Sequence, residues 1–380
     1  MPIKVLNLIS SPYGHGGAEK LLLDMAELFD RNTFSVSYCN LFDPPNGRSP
    51  FSTKLREREL SVFEIDGHRW HDIPKIITRL RDLIKANKID IVHSHLFHAS
   101  MVASVAGRLE SENRRTVITQ HYTRSALGKR YQKKLDRFAV RAADRVIAIS
   151  SAVRSDLIFQ GVNENNIEII PNGIDFSKFD EDAKKENHVV DLLKDQGKFI
   201  VGSVGNLHKR KDHRTLILAM EQVVRYAPSV HMVIVGEGAE RAELEKLIRA
   251  RDLETRVSLL GFQNDIPSLI SKFDLYVHPS LYEPFGIAIL EAMAARIPVI
   301  ATKVDGVVDI IDDGINGFLV PAQDPQTIAR AVRKAVSDPD ANLEIALRGR
   351  ERVERDFGIE KTTLRYQTLY ADVVASSVNL

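Results

Sequence analysis

Cysteine is nearly absent from this 380-residue chain, which contains only Cys39. A single thiol excludes an intrachain disulfide framework and any zinc module built on several cysteines, and it favours a reducing compartment. Long hydrophobic runs are also lacking, since no segment approaches the roughly 18 apolar residues of a membrane-spanning helix. Segment 1–10 has neither a basic leader nor a small-residue cleavage site, so we interpret it as a β-strand and not a signal peptide.

An excess of charge of either sign is missing as well, because 52 Lys and Arg residues stand against 51 Asp and Glu residues. The formal net charge of +1 excludes a globally basic nucleic-acid-binding protein. The 44% hydrophobic content is ordinary for a folded protein, and the length favours two domains. We therefore expect a soluble, cytoplasmic, two-domain protein.

Short apolar, β-branched runs alternate with helical patterns along most of the chain. Continuously apolar runs are typical of strands covered on both faces of a parallel sheet. The predicted strands are 4–10, 35–41, 89–93, 117–120, 145–150, 199–204, 230–236, 257–260, 274–279, 298–301 and 318–320. These are too many for one open sheet, so the pattern predicts an α/β protein with two doubly wound sheets. The charged, apolar-poor stretch 180–197 predicts the connection between the domains.

Ligands bind at the carboxyl ends of parallel strands, so the loops there are the first candidates for chemistry. Gly16 and Gly17 open the first predicted helix, where backbone N–H groups can approach an anion. The dinucleotide fingerprint is incomplete because Glu19 stands where a third glycine is needed. A plain flexible turn is the alternative interpretation of this pair.

Histidines follow two of the predicted strands. His95 and His98 share a helical face, but no carboxylate or cysteine joins them nearby. Hydrogen-bonded loop histidines are therefore favoured over a metal site. His121 ends the strand 117–120, and at that edge it is a candidate for a substrate contact.

Cations follow the first strand of the second half, where Lys209, Arg210 and Lys211 are consecutive. This arrangement suits a ligand that carries phosphate, and a solvated turn is the alternative.

The most informative segment is 274–293, in which a strand, a loop and a helix predicted to begin near Pro284 follow one another. Free N–H groups around residues 285–287 would form an anion site. Glu283 and Glu291 are eight positions apart, so they could hold two ends of one extended ligand. A helix cap with a buried ion pair is the alternative.

These residues together resemble the retaining, metal-independent glycosyltransferases of the GT-B fold, specifically glycosyltransferase family 4. The most specific element is Glu283-x7-Glu291 with Phe285-Gly286 inside it, supported by the motifs at 170–175, 235–238 and 298–302. The resemblance implies two doubly wound Rossmann-like domains facing across a cleft. An acceptor-binding domain would occupy 1–185 and a nucleotide-sugar-binding domain 198–358, with a helix in 359–380 packing back on the first domain.

The resemblance also implies roles for individual residues. Glu283 would bind hydroxyls of the donor sugar, Lys211 would neutralise the diphosphate, and His121 would lie beside the anomeric region, which makes these three the implied catalytic residues. The implied donor-binding residues also include Gly16, Gly17, Asn206, Phe262 near the base, Phe285, Gly286, Ile287, and Glu291 on the ribose.

Two positions depart from the family pattern. Asn206 stands where the family usually has arginine. The protein therefore lacks one positive charge next to the diphosphate unless Lys209 or Arg210 supplies it. Asp305 stands where a glycine pair is common, in a loop that would face the diphosphate. A carboxylate there is unfavourable unless it points away.

The resemblance implies no metal and no cofactor, only a nucleotide-sugar co-substrate, with a UDP-sugar favoured over a GDP-sugar. The acceptor would be a glycan or a polyprenyl-diphosphate-linked sugar in cell-surface polysaccharide or glycolipid synthesis. Two alternatives remain open: a catalytically weak sugar-nucleotide-binding or assembly subunit, and a GT-B sugar-nucleotide epimerase.

One predicted helix, 130–142, has a basic face. Its cations are Arg130, Lys133, Lys134, Arg137 and Arg141, and its apolar residues are Tyr131, Leu135, Phe138 and Ala142. A surface helix with its apolar stripe in the core explains this pattern. The alternative is a basic face, with Arg130, Lys134 and Arg137 binding an anionic membrane or the acceptor, which would place the protein on the inner face of the membrane.

Overall fold

The computed structural model describes residues 1–10, 16–42, 49–65, 72–108, 114–181 and 188–376. The chain divides into two units, each with its own sheet and core. The first unit comprises Met1–Gly173 with Ile359–Leu380, and the second comprises Ile174–Gly358.

The first unit contains a seven-stranded parallel sheet of order β3-β2-β1-β4-β5-β6-β7. Its strands are β1 (Ile3–Ile9), β2 (Phe34–Asn40), β3 (Ser61–Glu64), β4 (Ile91–His95), β5 (Arg115–Gln120), β6 (Arg145–Ala148) and β7 (Ile167–Ile169). Its helices are α1 (Gly17–Met25), α2 (Pro50–Glu57), α3 (Ile73–Asn87), α4 (Phe97–Arg108), α5 (Arg130–Ala142), α6 (Ser151–Phe159) and α15 (Ile359–Ala375).

Helices cover both faces of this sheet. Val5 faces a core that includes residues of α1 and α15, and Leu6 faces another built with α3 and α4. Both residues are fully buried on the central strand, which explains its continuously apolar sequence. The final helix belongs to this unit, since Tyr366 and Tyr370 pack in the first of these cores.

The second unit contains a six-stranded parallel sheet of order β10-β9-β8-β11-β12-β13. Its strands are β8 (Phe199–Val204), β9 (Val230–Val235), β10 (Val257–Leu259), β11 (Leu275–His278), β12 (Val299–Thr302) and β13 (Phe318–Val320). Its helices are α7 (Lys178–Glu181), α8 (His188–Asp195), α9 (His213–Tyr226), α10 (Arg241–Ala250), α11 (Ile266–Ile270), α12 (Ile287–Ala294), α13 (Pro325–Ser337) and α14 (Pro339–Asp356).

The prediction of two doubly wound parallel sheets is confirmed, but two strands of the first sheet were missed. β3 and β7 are its two edge strands. Neither strand has a buried residue. Because an edge strand is only partly covered, its sequence lacks the continuous apolar run by which the inner strands were predicted.

The chain passes between the units at Gly173 and Ile174 and not within 180–197 as predicted. The prediction rested on charge, but several charged residues in the described parts of that stretch are paired with the second unit. Asp180 accepts hydrogen bonds from Arg296 and Arg350, each at 2.7 Å. In α8, Lys194 pairs with Asp274 at 2.5 Å. Charged segments that pair in this way belong to a domain surface and not to a linker.

Arg350 on α14 contacts the first residues of the second unit, and its replacement should lower the stability of the protein. The side chain is 6% exposed, donates to Ala294 O at 2.5 Å, and lies 5.0 Å from the Phe176 ring centroid. We expect Arg350→Met to lower the free energy of unfolding by about 2–3 kcal/mol, since a buried carbonyl loses its donor.

The matched control is Arg348→Met on the same helix. Among the described residues Arg348 forms an ion pair with Glu344 alone, and both side chains are about half exposed or more, at 48% and 64%. Such pairs contribute about 0.5 kcal/mol or less. Urea unfolding followed by circular dichroism compares the two variants, and equal midpoints would contradict the role given to Arg350.

Candidate active site

Glu283 lies in the loop between β11 and α12 of the second unit. Gly286 caps α12 with φ +116°, a backbone conformation in which a side chain would be strained. The helix therefore begins at Ile287 and not near Pro284 as predicted. The N–H of Ile289 donates to Gly286 O at 2.9 Å, and the N–H groups of the first turn before it have no partner within the helix.

Glu283 is 9% exposed, and the contacts of its carboxylate all involve one oxygen. Oε2 forms an ion pair with Lys211, lies 2.7 Å from Nε2 of His278, and lies 3.4 Å from Oγ of Ser280. Oε1 makes no hydrogen bond to any residue that the structure describes. One oxygen is thus held by the protein, and the other remains available to a ligand.

The charges of this cluster keep Glu283 ionised. Burial alone would raise the pKa of Glu283, but the Lys211 ammonium and the His278 hydrogen bond hold that pKa well below its ordinary value. Burial and the Lys211 charge lower the pKa of His278, which the Glu283 carboxylate opposes. His278 is therefore neutral near pH 7, with its proton on the Nε2 that faces the carboxylate.

Lys211 comes from the turn that follows β8. Its side chain is 16% exposed and reaches Glu283, whereas Lys209 and Arg210 are exposed. Arg210 contributes through its backbone, because its carbonyl accepts the N–H of Leu281 at 2.7 Å. Asn206 is exposed in the same loop. The side chains of Lys209 and Arg210 are exposed on the same turn, and their replacement of the charge that Asn206 lacks stays a prediction.

Neighbouring loops approach each other closely beside this cluster. Gly236 has φ +139°, and a Cβ there would lie 2.1 Å from Gly205 O, so only glycine fits. The N–H of Leu207 donates to Glu237 O at 2.9 Å, which joins the loops after β8 and β9. Phe262 follows β10 and is 52% exposed. The loops after β8, β9, β10 and β11 therefore carry the candidate residues along one edge of the sheet.

Asp305 has a role that its sequence position did not suggest. Its Oδ2 accepts the N–H of Glu283 at 3.0 Å, and the N–H of Gly306 donates to Glu283 O at 3.1 Å. Asp305 has φ +37°, which explains why glycine suits this position. Burial and the Glu283 charge raise the pKa of Asp305, which the hydrogen bond opposes. The carboxylate is thus turned to the Glu283 backbone, which it braces.

Two other predicted residues of this unit are buried. Glu291 on α12 is 6% exposed. Phe285 is 2% exposed and its ring packs edge-on against Phe357, with centroids 5.9 Å apart. Only the backbone of Phe285 can contact a ligand, and the predicted donor at this position is its backbone N–H.

Sequence reasoning missed His278 and Ser280, which hold Glu283 from the end of β11. Both residues lie in the segment 274–293, but a histidine within a buried strand does not by itself indicate a functional role. The signal that could have found them is their position five and three residues before Glu283, at the carboxyl end of a strand.

The predicted residues of the first unit occupy its own strand ends. Gly16 is the N-cap of α1 and Gly17 its first residue; the preceding residues 11–15 lie outside the described ranges. His121 follows β5, and its Nε2 lies 3.1 Å from Nδ1 of His95. Burial lowers the pKa of His121 to about 4.

His93 and His95 of this unit form hydrogen bonds. His93 lies 2.6 Å from Tyr370 OH and 2.8 Å from Thr119 Oγ1, and Nε2 of His95 lies 3.3 Å from Asn7 Oδ1. Within the described ranges, no group of three or more His, Cys, Asp or Glu residues could hold a metal ion.

Helix α5 does not bury its aromatic residues, contrary to the core-packed interpretation. Tyr131 and Phe138 are 49% and 45% exposed. The buried face consists of Asp136, Ala139 and Val140. Asp136 accepts a hydrogen bond from Tyr122 OH at 2.8 Å, and burial raises its pKa.

The exposed side of α5 carries cations beside those rings. They are Arg130, Lys134, Arg137 and Arg141. Among the helices in the described part of the chain, none is long and apolar enough to cross a membrane.

Known proteins resemble this chain over most of its length. The model of the glycosyl transferases group 1 matches residues 184–352, and that of glycosyltransferase family 4 matches 15–178. The α-maltose-1-phosphate synthase of Mycolicibacterium smegmatis is 30% identical over 72% of this chain and 76% of its own. The UDP-Gal:alpha-D-GlcNAc-diphosphoundecaprenol alpha-1,3-galactosyltransferase of Escherichia coli is 28% identical over 80% of each chain.

Solved structures agree with these matches. The Anabaena protein Alr3699/HepE, in complex with UDP and glucose, has a TM-score of 0.84 and 26% identity, covering 97% of this chain and 100% of its own. The chain therefore belongs to the group 1 glycosyltransferases of the GT-B fold, in family 4. It is a transferase of glycosyl groups.

Proposed function

We propose that this protein is a metal-independent, retaining glycosyltransferase that moves a sugar from a nucleotide-diphosphate sugar to a glycan or lipid-linked acceptor. The observation that carries the proposal is the Glu283 carboxylate, held through Oε2 with Oε1 available, next to Lys211. A fixed carboxylate oxygen suits a sugar hydroxyl, and a neighbouring ammonium suits the phosphate attached to that sugar.

The site supplies positive charge where the leaving group would develop negative charge. Lys211 and the N–H groups of the first turn of α12 are both donors, and the helix dipole adds to their effect. In the proposed reaction the C1–O bond to the diphosphate breaks, and the acceptor oxygen bonds C1 from the same face. The acceptor proton passes to the departing phosphate oxygen, so no protein base is required.

A UDP-sugar is the donor that we propose, in preference to a GDP-sugar. The Anabaena structure contains UDP and glucose, and the name of the Escherichia coli relative specifies UDP-Gal. That name also specifies a diphosphoundecaprenol-linked acceptor, which supports an acceptor of polyprenyl-diphosphate type in polysaccharide or glycolipid synthesis. We propose the further donor contacts at Gly16, Gly17, Asn206, Phe262, Phe285, Gly286, Ile287 and Glu291, and an anomeric contact at His121.

The test is turnover of UDP-, GDP-, ADP- and dTDP-sugars in EDTA, with the anomeric configuration of the product followed by NMR. We expect one UDP-sugar to be turned over at the same rate with and without EDTA, and to give a product that retains the donor's configuration. Dependence on a divalent ion, or an inverted product, would contradict the proposal. Conversion of the free nucleotide sugar into its epimer would instead establish the epimerase alternative.

Peripheral membrane contact through α5 is part of the proposal, on the cytoplasmic side where nucleotide sugars are available. The exposed rings of Tyr131 and Phe138 beside basic side chains suit an anionic lipid surface. Removing two cations by Arg130→Gln and Lys134→Gln should weaken binding to phosphatidylglycerol vesicles roughly 30-fold, since each basic residue contributes about 1 kcal/mol. Sedimentation with the vesicles measures this binding.

The matched control removes two exposed cations of the second unit by Arg249→Gln and Arg348→Gln, which should leave vesicle binding unchanged. Raised salt should weaken the wild-type interaction because it is electrostatic. A vesicle affinity that does not change with salt concentration, or that falls equally in both double variants, would exclude α5 as the membrane contact.

The charge missing at Asn206 favours a second candidate, a catalytically weak sugar-nucleotide-binding or assembly subunit. Because arginine would add a charged donor where Asn206 offers only an amide, we expect Asn206→Arg to raise kcat/KM for the nucleotide-sugar donor about tenfold. Asn206→Gln, which keeps the amide, is the control. Unchanged or lower turnover in Asn206→Arg would mean that the diphosphate site is already complete.

A further inference from the structure

His278 connects the buried interior of the second unit to Glu283. Its Nε2 lies 2.7 Å from Oε2 of Glu283, and its Nδ1 lies 3.1 Å from the hydroxyl of Tyr276. Both His278 and Tyr276 lie on β11 and are about 1% exposed or less. The imidazole therefore has protein partners on both nitrogens and no room to turn away.

These partners determine which nitrogen carries the proton. A carboxylate oxygen can only accept, so Nε2 of His278 donates to Glu283. In the neutral ring Nδ1 is then an acceptor, and the Tyr276 hydroxyl beside it has two acceptors within reach, this Nδ1 at 3.1 Å and Val204 O at 3.3 Å. Ser280 Oγ lies 3.0 Å from Nε2 of His278 and 3.4 Å from Oε2 of Glu283. It is therefore a further polar neighbour of Oε2.

We propose that His278 is a positioning residue, which holds Oε2 of Glu283 so that Oε1 stays turned to the donor sugar. This inference rests on the proposed function, in which Glu283 binds a sugar hydroxyl and Lys211 the diphosphate. Both anions compete for the one ammonium. When Lys211 turns to the phosphate, His278 and Ser280 are the partners that still hold Oε2.

The first test measures Glu283 in the ligand-free full chain. The protein is labelled with 13C at the glutamate carboxyl carbons, and the Glu283 resonance is identified by its loss in Glu283→Gln. The variants are His278→Gln, whose amide nitrogen reaches about as far as Nε2, and His278→Asn, whose amide is one methylene too short. Both are polar, so they differ in reach and not in the burial of an apolar group.

Several ionisable groups act on this titration, and they are present in every variant. Lys211, Tyr276 and Asp305 interact with Glu283 directly, while His213 interacts with Lys211 and His278, and Glu291 interacts with Tyr276. With these unchanged, we expect the Glu283 midpoint to rise by about one pH unit in His278→Asn and to stay near the wild-type value in His278→Gln.

The control is His231→Asn on β9, where a buried histidine lies 2.9 Å from Ser258 Oγ and makes no contact with Glu283 in the described part of the structure. Thermal midpoints of all variants show whether a loss of stability accompanies the shift. A Glu283 midpoint that stays at the wild-type value in His278→Asn would overturn the proposal. Equal shifts in His278→Asn and His278→Gln would also overturn it. If His278 only fills space, the longer glutamine amide should preserve the Glu283 midpoint no better than the shorter asparagine amide.

The second test uses UDP and UDP-glucose as probes. His278→Asn should lower the rate of glucose release from UDP-glucose at least tenfold while the Kd for UDP stays within twofold, and His278→Gln should recover most of the rate. Equal losses of UDP binding and of release would overturn the positioning role. If the wild-type protein turns over no nucleotide sugar, the proposed function fails, and the carboxyl titration still decides the role of His278 by itself.

Discussion

Replacement of Glu283 by glutamine should reduce sugar transfer by roughly 10²–10³-fold while nucleotide binding is retained. The amide keeps the shape of the side chain but removes the charged acceptor that the proposed sugar contact requires. Lys211, which pairs with Glu283 in the free protein, becomes more available to the diphosphate. The affinity for UDP should therefore stay the same or increase. Initial rates of transfer and calorimetric binding of UDP measure the two effects separately.

The control for this variant is Glu344→Gln, which removes an exposed carboxylate paired with Arg348 on the same unit. It should leave both transfer and UDP binding unchanged. Full transfer activity in Glu283→Gln would defeat the assignment of the site. Loss of UDP binding together with transfer would mean that the variant has lost the shape of the site and not a specific contact.

Replacement of Lys211 by methionine should have the other large effect. Glu283 would then be left buried without its counter-ion, and breaking a buried pair by removing one partner costs about 3 kcal/mol. We expect the free energy of unfolding to fall by about that amount and donor affinity to fall roughly 100-fold. Urea unfolding and binding of UDP measure these changes, and Lys211→Arg, which keeps the charge, should recover part of both.

The pH dependence of this loss has a definite sign. In the wild-type protein the pKa of Glu283 is held below its ordinary value of 4.5, so the stabilisation is present above that pH and is lost as the pH falls further. The deficit of Lys211→Met should accordingly be largest near pH 7 and shrink as the pH falls below about 4.5. A deficit independent of pH would show that lost packing, and not lost charge, is responsible.

A double variant separates these explanations further. Adding Glu283→Gln to Lys211→Met removes the unpaired carboxylate. The loss of unfolding free energy in the double variant should therefore be smaller than the sum of the two single losses by about 1–3 kcal/mol. Strict additivity would mean that the two side chains do not interact in solution.

Inner strands such as Val230–Val235 were predictable because they are buried along their whole length and carry a nearly continuous apolar run. The edge strands β3 and β7 were not predictable in that way, since neither has a buried residue. The boundary between the units was displaced for another physical reason. Ion pairs such as Lys194 with Asp274 join the charged stretch to the second unit, and composition does not show which charges have partners.

The motif residues of the candidate site were predicted from the sequence, but the residues that hold Glu283 in place were not. Glu283 and Lys211 were named from a spacing and a cationic turn, and the structure brings them into contact. His278 and Asp305 hold Glu283 through its side chain and its backbone. Those contacts depend on where β11 ends and on the φ of +37° at Asp305, neither of which a motif encodes.

The near-neutral total charge, with 52 basic and 51 acidic residues, likewise gives no indication of either local feature. One is the buried pair of Lys211 and Glu283, and the other is the exposed basic side of α5. Net charge excludes a globally basic protein but does not bear on a site for one diphosphate.

The central claim is that Glu283 and Lys211 form a donor-sugar site that works without a metal ion. The measurement that tests it most directly is turnover of the UDP-sugar panel by wild-type protein and Glu283→Gln, side by side in EDTA. We predict that the wild-type protein consumes one UDP-sugar at the rate seen without EDTA, and that Glu283→Gln binds UDP but consumes the sugar at least 100-fold more slowly. Wild-type turnover that EDTA abolishes, or undiminished turnover by Glu283→Gln, would contradict the claim.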